Sequence, residues 1–184
     1  MRVEKDNIVI RSAVEDDAMY LNRWWNDGDV MEHAGFPKGL NLSLEETIKN
    51  IKSWENKLDE LCIIEIDGIP IGELNFKIKG DTAYPGWKIC EKEYQNIGYG
   101  PKVINLLLNF IFSDVDINSL ETICEISWDT MAENTRAQYV YEEKIGARKT
   151  DLKRNHWKDQ LGNWRDTIYY AINREEFYRE MSEF

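Results

Sequence analysis

Apolar residues recur along this chain in two rhythms. Short runs rich in β-branched and aromatic residues, bounded by Gly, Asp and Asn, predict strands at Ile8–Ser12, Leu61–Ile66, Pro70–Ile78, Tyr84–Cys90, Thr122–Trp128, Arg148–Trp157 and Trp164–Asn173. Spacings of three and four predict helices over Met19–Trp25, from Ser43 to Asn56 or Lys57, over Lys102–Phe112, from Asn134 onward, and over Arg174–Met181. In the third of these, Val103, Leu106, Leu107, Phe110 and Ile111 mark one broad face. Ser43 with Glu46 three residues on reads as a capping box, and Asp67-Gly68 as a two-residue hairpin turn. From Asp27 to Asn41 the rhythm breaks on Gly28, Gly35, Pro37 and Gly39, which predicts an irregular segment.

The order β-α-α-β-β-β-α-β-α-β-β predicts a mixed α/β (α+β) fold with a mostly antiparallel sheet. The strand-helix-strand unit from Tyr84 to Trp128 predicts one right-handed parallel crossover. At 184 residues the whole chain, 1–184, is expected to form a single domain. No run of about 18 apolar residues exists to span a membrane, and Met1–Asp6 lacks the apolar centre of a signal peptide. Cys62, Cys90 and Cys124 are far apart, with no C-x-x-C spacing for a metal; buried thiols in a reducing cytoplasm are the expectation. The net charge of −11 argues against a nucleic-acid partner and admits cationic substrates, although most of the acids must be solvated surface.

Candidate chemistry centres on Gln95-Asn96-Ile97-Gly98-Tyr99-Gly100, between the Tyr84–Cys90 run and the next helix, with Pro101 at its expected first position. A strand, a glycine turn and a helix N-terminus converge several backbone N–H groups and a positive dipole on one point, which suits a pyrophosphate. The same glycines would also serve a plain tight turn. A dinucleotide fingerprint or a P-loop is absent, since neither a third glycine nor Gly-Lys-Ser/Thr follows.

Gln95-x-x-Gly98-x-Gly100 resembles the acetyl-CoA pyrophosphate loop of the GNAT N-acetyltransferases, whose pattern is Gln/Arg-x-x-Gly-x-Gly/Ala. Downstream, Asn134-Thr135-Arg136-Ala137-Gln138-Tyr139-Val140-Tyr141-Glu142-Glu143-Lys144-Ile145-Gly146 is similar to the family's Asn-x-x-Ala…Tyr-Glu-Lys-x-Gly-Phe helix. The likeness spans Ile8 to about Ile172 and leans toward the ribosomal-protein-alanine and aminoglycoside N-acetyltransferase branch. It implies helices on both faces of the sheet and a splayed parallel strand pair that takes the acyl-CoA arm. Backbone N–H groups of Gln95, Asn96, Ile97, Gly98, Tyr99 and Gly100 would then hold the pyrophosphate. Backbone groups around Lys88 and Cys90 would run along the pantetheine, and Asn134 would hydrogen-bond it.

Acyl transfer needs a neutral amine, a polarised thioester and a proton for the leaving thiolate. By its match to the family Tyr, Tyr141 is the candidate acid. Counted from Asn134, Ala137 and Tyr141 fit, but Gly146 arrives one residue late and Ala147 replaces the usual aromatic. A loosened turn near Glu143 would reconcile the count; Tyr139 stays open. For the base, Asp129 has the spacing before Asn134 found in aminoglycoside acetyltransferases, with Glu73, Glu125 or water as alternatives. Asn134 and Asp129 serve equally as cap and turn residues.

The resulting expectation is a cytoplasmic, acetyl-CoA-dependent N-acetyltransferase, monomer or homodimer, without metal. Its acceptor would be a primary amine: a cationic small molecule such as an aminoglycoside or polyamine, or a protein N-terminus. The alternative is a non-catalytic acyl-CoA-binding module that kept the loop and lost the chemistry.

Overall fold

The computed structural model describes residues 1–54, 59–114 and 122–182. The strands are β1 (Arg2–Lys5), β2 (Ile8–Ser12), β3 (Glu60–Ile66), β4 (Ile69–Lys79), β5 (Thr82–Ile89), β6 (Glu125–Met131), β7 (Arg148–Lys158) and β8 (Trp164–Asn173). Helices are α1 (Ala18–Asn26), the single turn α2 (Gly28–Met31), α3 (Leu44–Lys52), α4 (Tyr99–Asp114), α5 (Thr135–Glu143) and α6 (Arg174–Ser182). The strands form one sheet in the order β1-β2-β3-β4-β5-β6-β8-β7, in which every pairing is antiparallel except β5 with β6.

Local chemistry sets the junctions. Ser43 Oγ accepts from Glu46 N at 3.2 Å while Glu46 Oε2 accepts from Ser43 N at 2.8 Å, closing the capping box. Asp67 and Gly68 both adopt positive φ, 52° and 78°, as the tight turn of the β3–β4 hairpin requires. The expected end of the Ser43 helix at Asn56 or Lys57 lies outside the described residues. α4 begins at Tyr99, which moves Pro101 from the first to the third helical position. That shift has no cost, because the first four N–H groups of a helix have no partner within it.

Each face of the sheet carries helices. On one, Val103, Leu107, Leu108, Ile111 and Phe112 of α4 pack on Leu74, Phe76, Ile126, Tyr170 and Ile172, with Phe177 of α6 closing the end. α4 is buried over a wider arc than its sequence face announced, since it is wedged between the sheet and α6; Phe112 and Phe177 stand 5.5 Å apart. On the other face, Leu21, Trp24 and Trp25 of α1 and Ile51 of α3 cover Leu61, Ile63 and Cys90. Each such aliphatic side chain stabilises the fold by about 1.5–3 kcal/mol through removal from water.

One feature of this sheet creates space. β5 and β6 pair only at Thr82–Glu125 and Ala83–Ile126. Beyond that point β5 stays on β4 and β6 on β8, so the two parallel strands diverge into a gap.

Candidate active site

The gap opens into a cleft of about 510 Å³. Its floor and sides come from Gly86–Ile89 of β5, Trp128–Met131 of β6, and Asn134, Ala137, Val140 and Tyr141 of the α5 region, with Gln95 and Gly100 at one end and Asp29, His33 and Trp157 at the other. Because neighbouring residues on a strand point to opposite faces, the cleft has two chemically distinct sides.

On the α4–α5 side, Tyr141 sits in a box of rings. Its centroid is 5.6 Å from Trp87, 5.5 Å from Trp128 and 5.2 Å from Tyr170, each nearly edge-on. Burial pushes the Tyr141 phenol above its ordinary range, opposed by contact with the Trp87 indole, so the hydroxyl keeps its proton at neutral pH. The late glycine is absorbed where α5 ends. Lys144 N and Ile145 N both donate to Val140 O, at 3.0 and 3.1 Å, and Ala147 N reaches back to Tyr141 O at 2.9 Å. That wide turn, with Gly146 at φ 73°, takes up the extra residue and leaves Tyr141 facing the cleft. Tyr139 points away, 56% exposed, with Lys144 against its ring. Trp128 Nε1–H is buried with no hydrogen-bond partner among the described residues. Leaving such a donor unpaired costs about 1–3 kcal/mol, which a ligand oxygen reaching it would recover.

The glycine turn stands at the mouth. Asn96 and Gly98 have φ of 63° and 93°, and Gln95 Nε2 donates to Ile89 O at 2.8 Å, tying the turn to the end of β5. A Cβ built on Gly98 or Gly100 would meet nothing within 4 Å. The space above both glycines is open, and the first N–H groups of α4 face it without intrahelical partners.

The backbone of Lys88 and Cys90 turns toward β4. Cys90 N donates to Ile71 O at 2.8 Å and its thiol is buried in the α1–α3 core. The Lys88 carbonyl lies against Gly72 on the same β4 side. Backbone direction alternates along a strand, so the groups turned to the gap belong to Trp87 and Ile89. The Lys88 side chain does line the cleft, where Nζ pairs with the buried Glu73 at 2.7 Å. Burial alone would lower the Lys88 pKa, but Glu73 outweighs it and holds the ammonium charged. Asn134 caps α5, accepting from Ala137 N at 3.1 Å, and also lines the cleft.

The opposite side carries Asp129. Desolvation by the surrounding walls holds its carboxyl above the ordinary range, moderated by His156 and Lys153. Asp129 remains open to water in the cleft and makes no ion pair among the described residues. His156 gets there by a bulge: between Lys153 and Trp157 the register of β7 slips against β8, with Asn155 at φ 46°. Trp157 Nε1 donates to Thr167 Oγ1 at 3.0 Å, and His156 Nδ1 is 3.1 Å from the same oxygen. The other acids are engaged or distant. Glu73 holds Lys88, and Glu125 sits where β5 and β6 are still paired, bonded to Arg148.

Gln160 fastens the outer wall. Its Oε1 accepts from Lys38 N at 2.8 Å, its Nε2 donates to Gly39 O at 2.9 Å, and its own N–H reaches Gly35 O at 2.8 Å. Gly35, at φ 92°, lies so close to Trp157 that a Cβ would be 2.3 Å from the ring. The 28–40 segment and the β7–β8 hairpin are thereby joined into one wall. Sequence reasoning missed Gln160, Trp87 as a wall residue and the His156–Thr167–Trp157 cluster. Only the glycines at 35 and 39 hinted at close backbone approach.

A sheet split at one parallel pair, with a glycine turn and a helix N-terminus at the mouth of the split, is the frame of an acyl-group transferase. Residues 7–148 match the family model described as the acetyltransferase (GNAT) domain, and the chain belongs to that family. It is an N-acetyltransferase by family. An uncharacterized N-acetyltransferase, YnaD, of Bacillus subtilis (strain 168) is 25% identical over 182 residues, 96% of this chain and 99% of that one. Among solved structures, a spermidine N-acetyltransferase from Vibrio cholerae in complex with CoA and spermine superposes with a TM-score of 0.80 at 16% identity, covering 95% of this chain and 99% of that one. RimL, a ribosomal L7/L12 alpha-N-protein acetyltransferase in complex with coenzyme A, does so with a TM-score of 0.79 at 15% identity, covering 94% and 98%. No helix among the described residues is long and apolar enough to cross a membrane.

Proposed function

We propose that this protein moves the acetyl group of acetyl-CoA onto a primary amine inside the split between β5 and β6, with Tyr141 and Asp129 acting from opposite sides. The observation that carries this reading is their placement in one cleft. A phenol that burial keeps protonated is on one side, and a carboxylate whose proton affinity desolvation raises is on the other.

Backbone N–H groups of the Gln95–Gly100 turn and the start of α4 would bind the pyrophosphate, and the open space over Gly98 and Gly100 fits a group that must approach the backbone closely. The pantetheine arm would lie along the unpaired edge of β5 at Trp87 and Ile89, with Asn134 beside it. Entering from the Asp129 side, the amine attacks the thioester carbonyl. A C–N bond forms and the C–S bond breaks. The amine's proton passes to Asp129, directly or through one water, and the thiolate takes a proton from the Tyr141 hydroxyl. Glu73 is a weaker candidate base because it is already paired with Lys88.

The acceptor is an amine, as in the similar enzymes that act on spermidine or on a protein N-terminus. The test is CoA-thiol release measured over an amine panel, beside calorimetric acetyl-CoA binding. Release that needs both acetyl-CoA and an amine supports the reading. Tight acetyl-CoA binding without amine-dependent release would instead mark a non-catalytic binding module.

A further inference from the structure

Lys88 holds hydrogen-bonding capacity that the fold leaves unused. Its ammonium has three N–H donors; one goes to Glu73 Oε1 at 2.7 Å, and the others meet no acceptor among the described residues. The Glu73 side chain is only 4% exposed and the Lys88 side chain 27%, so the carboxylate lies inside and the ammonium is open to the cleft it lines. Removing such a pair from water is costly, and apolar residues in its place are often as good for stability. A ligand for the ammonium would account for it. The strands fix where that ligand would lie. Ala83 pairs with Ile126, and neither ladder shifts register beyond that point, so Gly86 comes level with Asp129 and Lys88 with Met131. Side chains alternate along a strand, which sends Lys88, Asp129 and Met131 to the same face, opposite Tyr141. Lys88 is two positions further out than Asp129, about 7 Å along the strand, and on the other edge of the split. Gly86 puts no side chain between them, and a Cβ there would be 3.7 Å from its nearest contact, the Asn75 side chain. Of the other charged groups lining the cleft, Asp29 is paired with Lys92 at 2.8 Å, and Arg136 stands on the first turn of α5, on the donor side. Glu32 and Asp151 do not line it.

We infer that the acceptor is a zwitterion, a primary amine that also carries a carboxylate, with its ammonium end at Asp129 and its carboxylate on the unused N–H groups of Lys88. The inference rests on the acetyltransferase reading above and narrows its acceptor. One molecule then supplies a cation for the unpaired carboxylate and an anion for the partly used ammonium. Both contacts form in a partly desolvated place, where they are stronger than in open water, and hydrogen bonds between charged groups are the stronger kind. Glu73 fixes the ammonium in advance, so binding does not have to order a long lysine side chain. A plain amine leaves the spare donors of Lys88 without an acceptor. The chain's net charge of −11 acts only weakly on a molecule whose own charges cancel.

The test measures kcat/KM from thiol release for hexylamine, 6-aminohexanoate and norleucine, which share a chain length and carry no carboxylate, one at the far end and one beside the amine. At least one of the two acids should exceed hexylamine by about tenfold or more, the scale of one hydrogen bond between charged groups. Lys88→Met should erase that preference with acetyl-CoA affinity unchanged. Because it leaves Glu73 buried without a partner, the Glu73→Gln/Lys88→Met double variant is measured beside it and should give the same result. Glu73→Gln alone, which keeps the ammonium, should keep the preference. Hexylamine used as well as both acids, or a preference that survives the loss of Lys88, overturns the inference and leaves the acetyltransferase reading standing. An equal fall for all three amines in Lys88→Met overturns it too, and would move the ammonium to the thioester oxygen. If acetyl-CoA binds but no amine is acetylated, both readings fall.

Discussion

Gly100→Ala should weaken acetyl-CoA binding and leave the free protein slightly more stable. Gly100 is the second residue of α4, has no positive φ, and a Cβ there meets no protein atom within 4 Å. Nothing in the free protein therefore resists alanine. Glycine in a helix is destabilising by roughly 0.5–1 kcal/mol relative to alanine, less in the first turn, so the variant should gain up to that amount. For a domain of this size that is a rise in Tm of about 1–4 °C. Binding should move the other way. The methyl occupies the space from which a pyrophosphate oxygen would meet the N–H groups of the turn. Displacing it by even 1 Å would lose one charge-assisted hydrogen bond, worth about 1.5–3 kcal/mol. The expected result is a Kd raised about 10- to 100-fold by calorimetry, with a higher Tm by scanning calorimetry. The opposite signs matter, because a variant that merely damaged the fold would lose both. Unchanged acetyl-CoA affinity would refute the phosphate-loop argument, and the turn would then be no more than a turn. Gly98→Ala is a poorer probe, since φ of 93° strains any side chain there.

Other substitutions separate the remaining roles. Tyr141→Phe should cut turnover about ten- to a thousandfold, the scale of a single general acid, with acetyl-CoA affinity nearly intact, while Tyr139→Phe should be neutral; the reverse pattern in steady-state kinetics would move the acid to Tyr139. Activity should rise with pH through the raised pKa of Asp129, because only the ionised carboxylate accepts the amine's proton, and Asp129→Asn should flatten that limb; a wild-type pH profile in the variant would remove Asp129 from the chemistry. Gln160→Ala deletes two side-chain hydrogen bonds, each contributing about 0.5–1.5 kcal/mol, so the acceptor KM should rise about three- to tenfold with acetyl-CoA affinity unchanged. An unchanged acceptor KM would show that the wall holds without this clasp.

The parts of the site visible in the sequence are those that local chemistry dictates. The Gln95–Gly100 turn, the Ser43–Glu46 capping box and the Asp67–Gly68 hairpin each follow from a few adjacent residues, and their structures match. β6 is displaced, spanning Glu125–Met131 rather than Thr122–Trp128. Cys124 N donates to Asp81 O as a lead-in, and the ladder with β8 starts at Glu125. β1 went unseen because Arg2-Val3-Glu4-Lys5 is an exposed polar edge with no apolar run to announce it. Which backbone groups near Lys88 and Cys90 turn to the gap was not legible, since the direction of a strand's N–H groups is set by pairing with β4 and not by composition. Glu73 stood as an alternative base, and its partner Lys88 is directly opposite on the next strand, a contact that exists only in the sheet. His156 reaches Thr167 through a bulge, and Gln160 bonds to residues more than 120 positions away; neither leaves a mark in the local pattern.

The central claim is that one split in the sheet holds the acetyl donor on the Tyr141 side and the amine on the Asp129 side. A bisubstrate conjugate, CoA joined through an acetyl bridge to hexylamine, tests it in a single calorimetric titration series. The account predicts binding at least about 100-fold tighter than CoA alone, since linking turns the second contact into an intramolecular one. That gain should shrink in Asp129→Asn, which weakens the acceptor for the conjugate's amide N–H, and persist in Gly100→Ala, where only the CoA part weakens. A conjugate that binds no tighter than CoA, or a gain that survives Asp129→Asn in full, would contradict it.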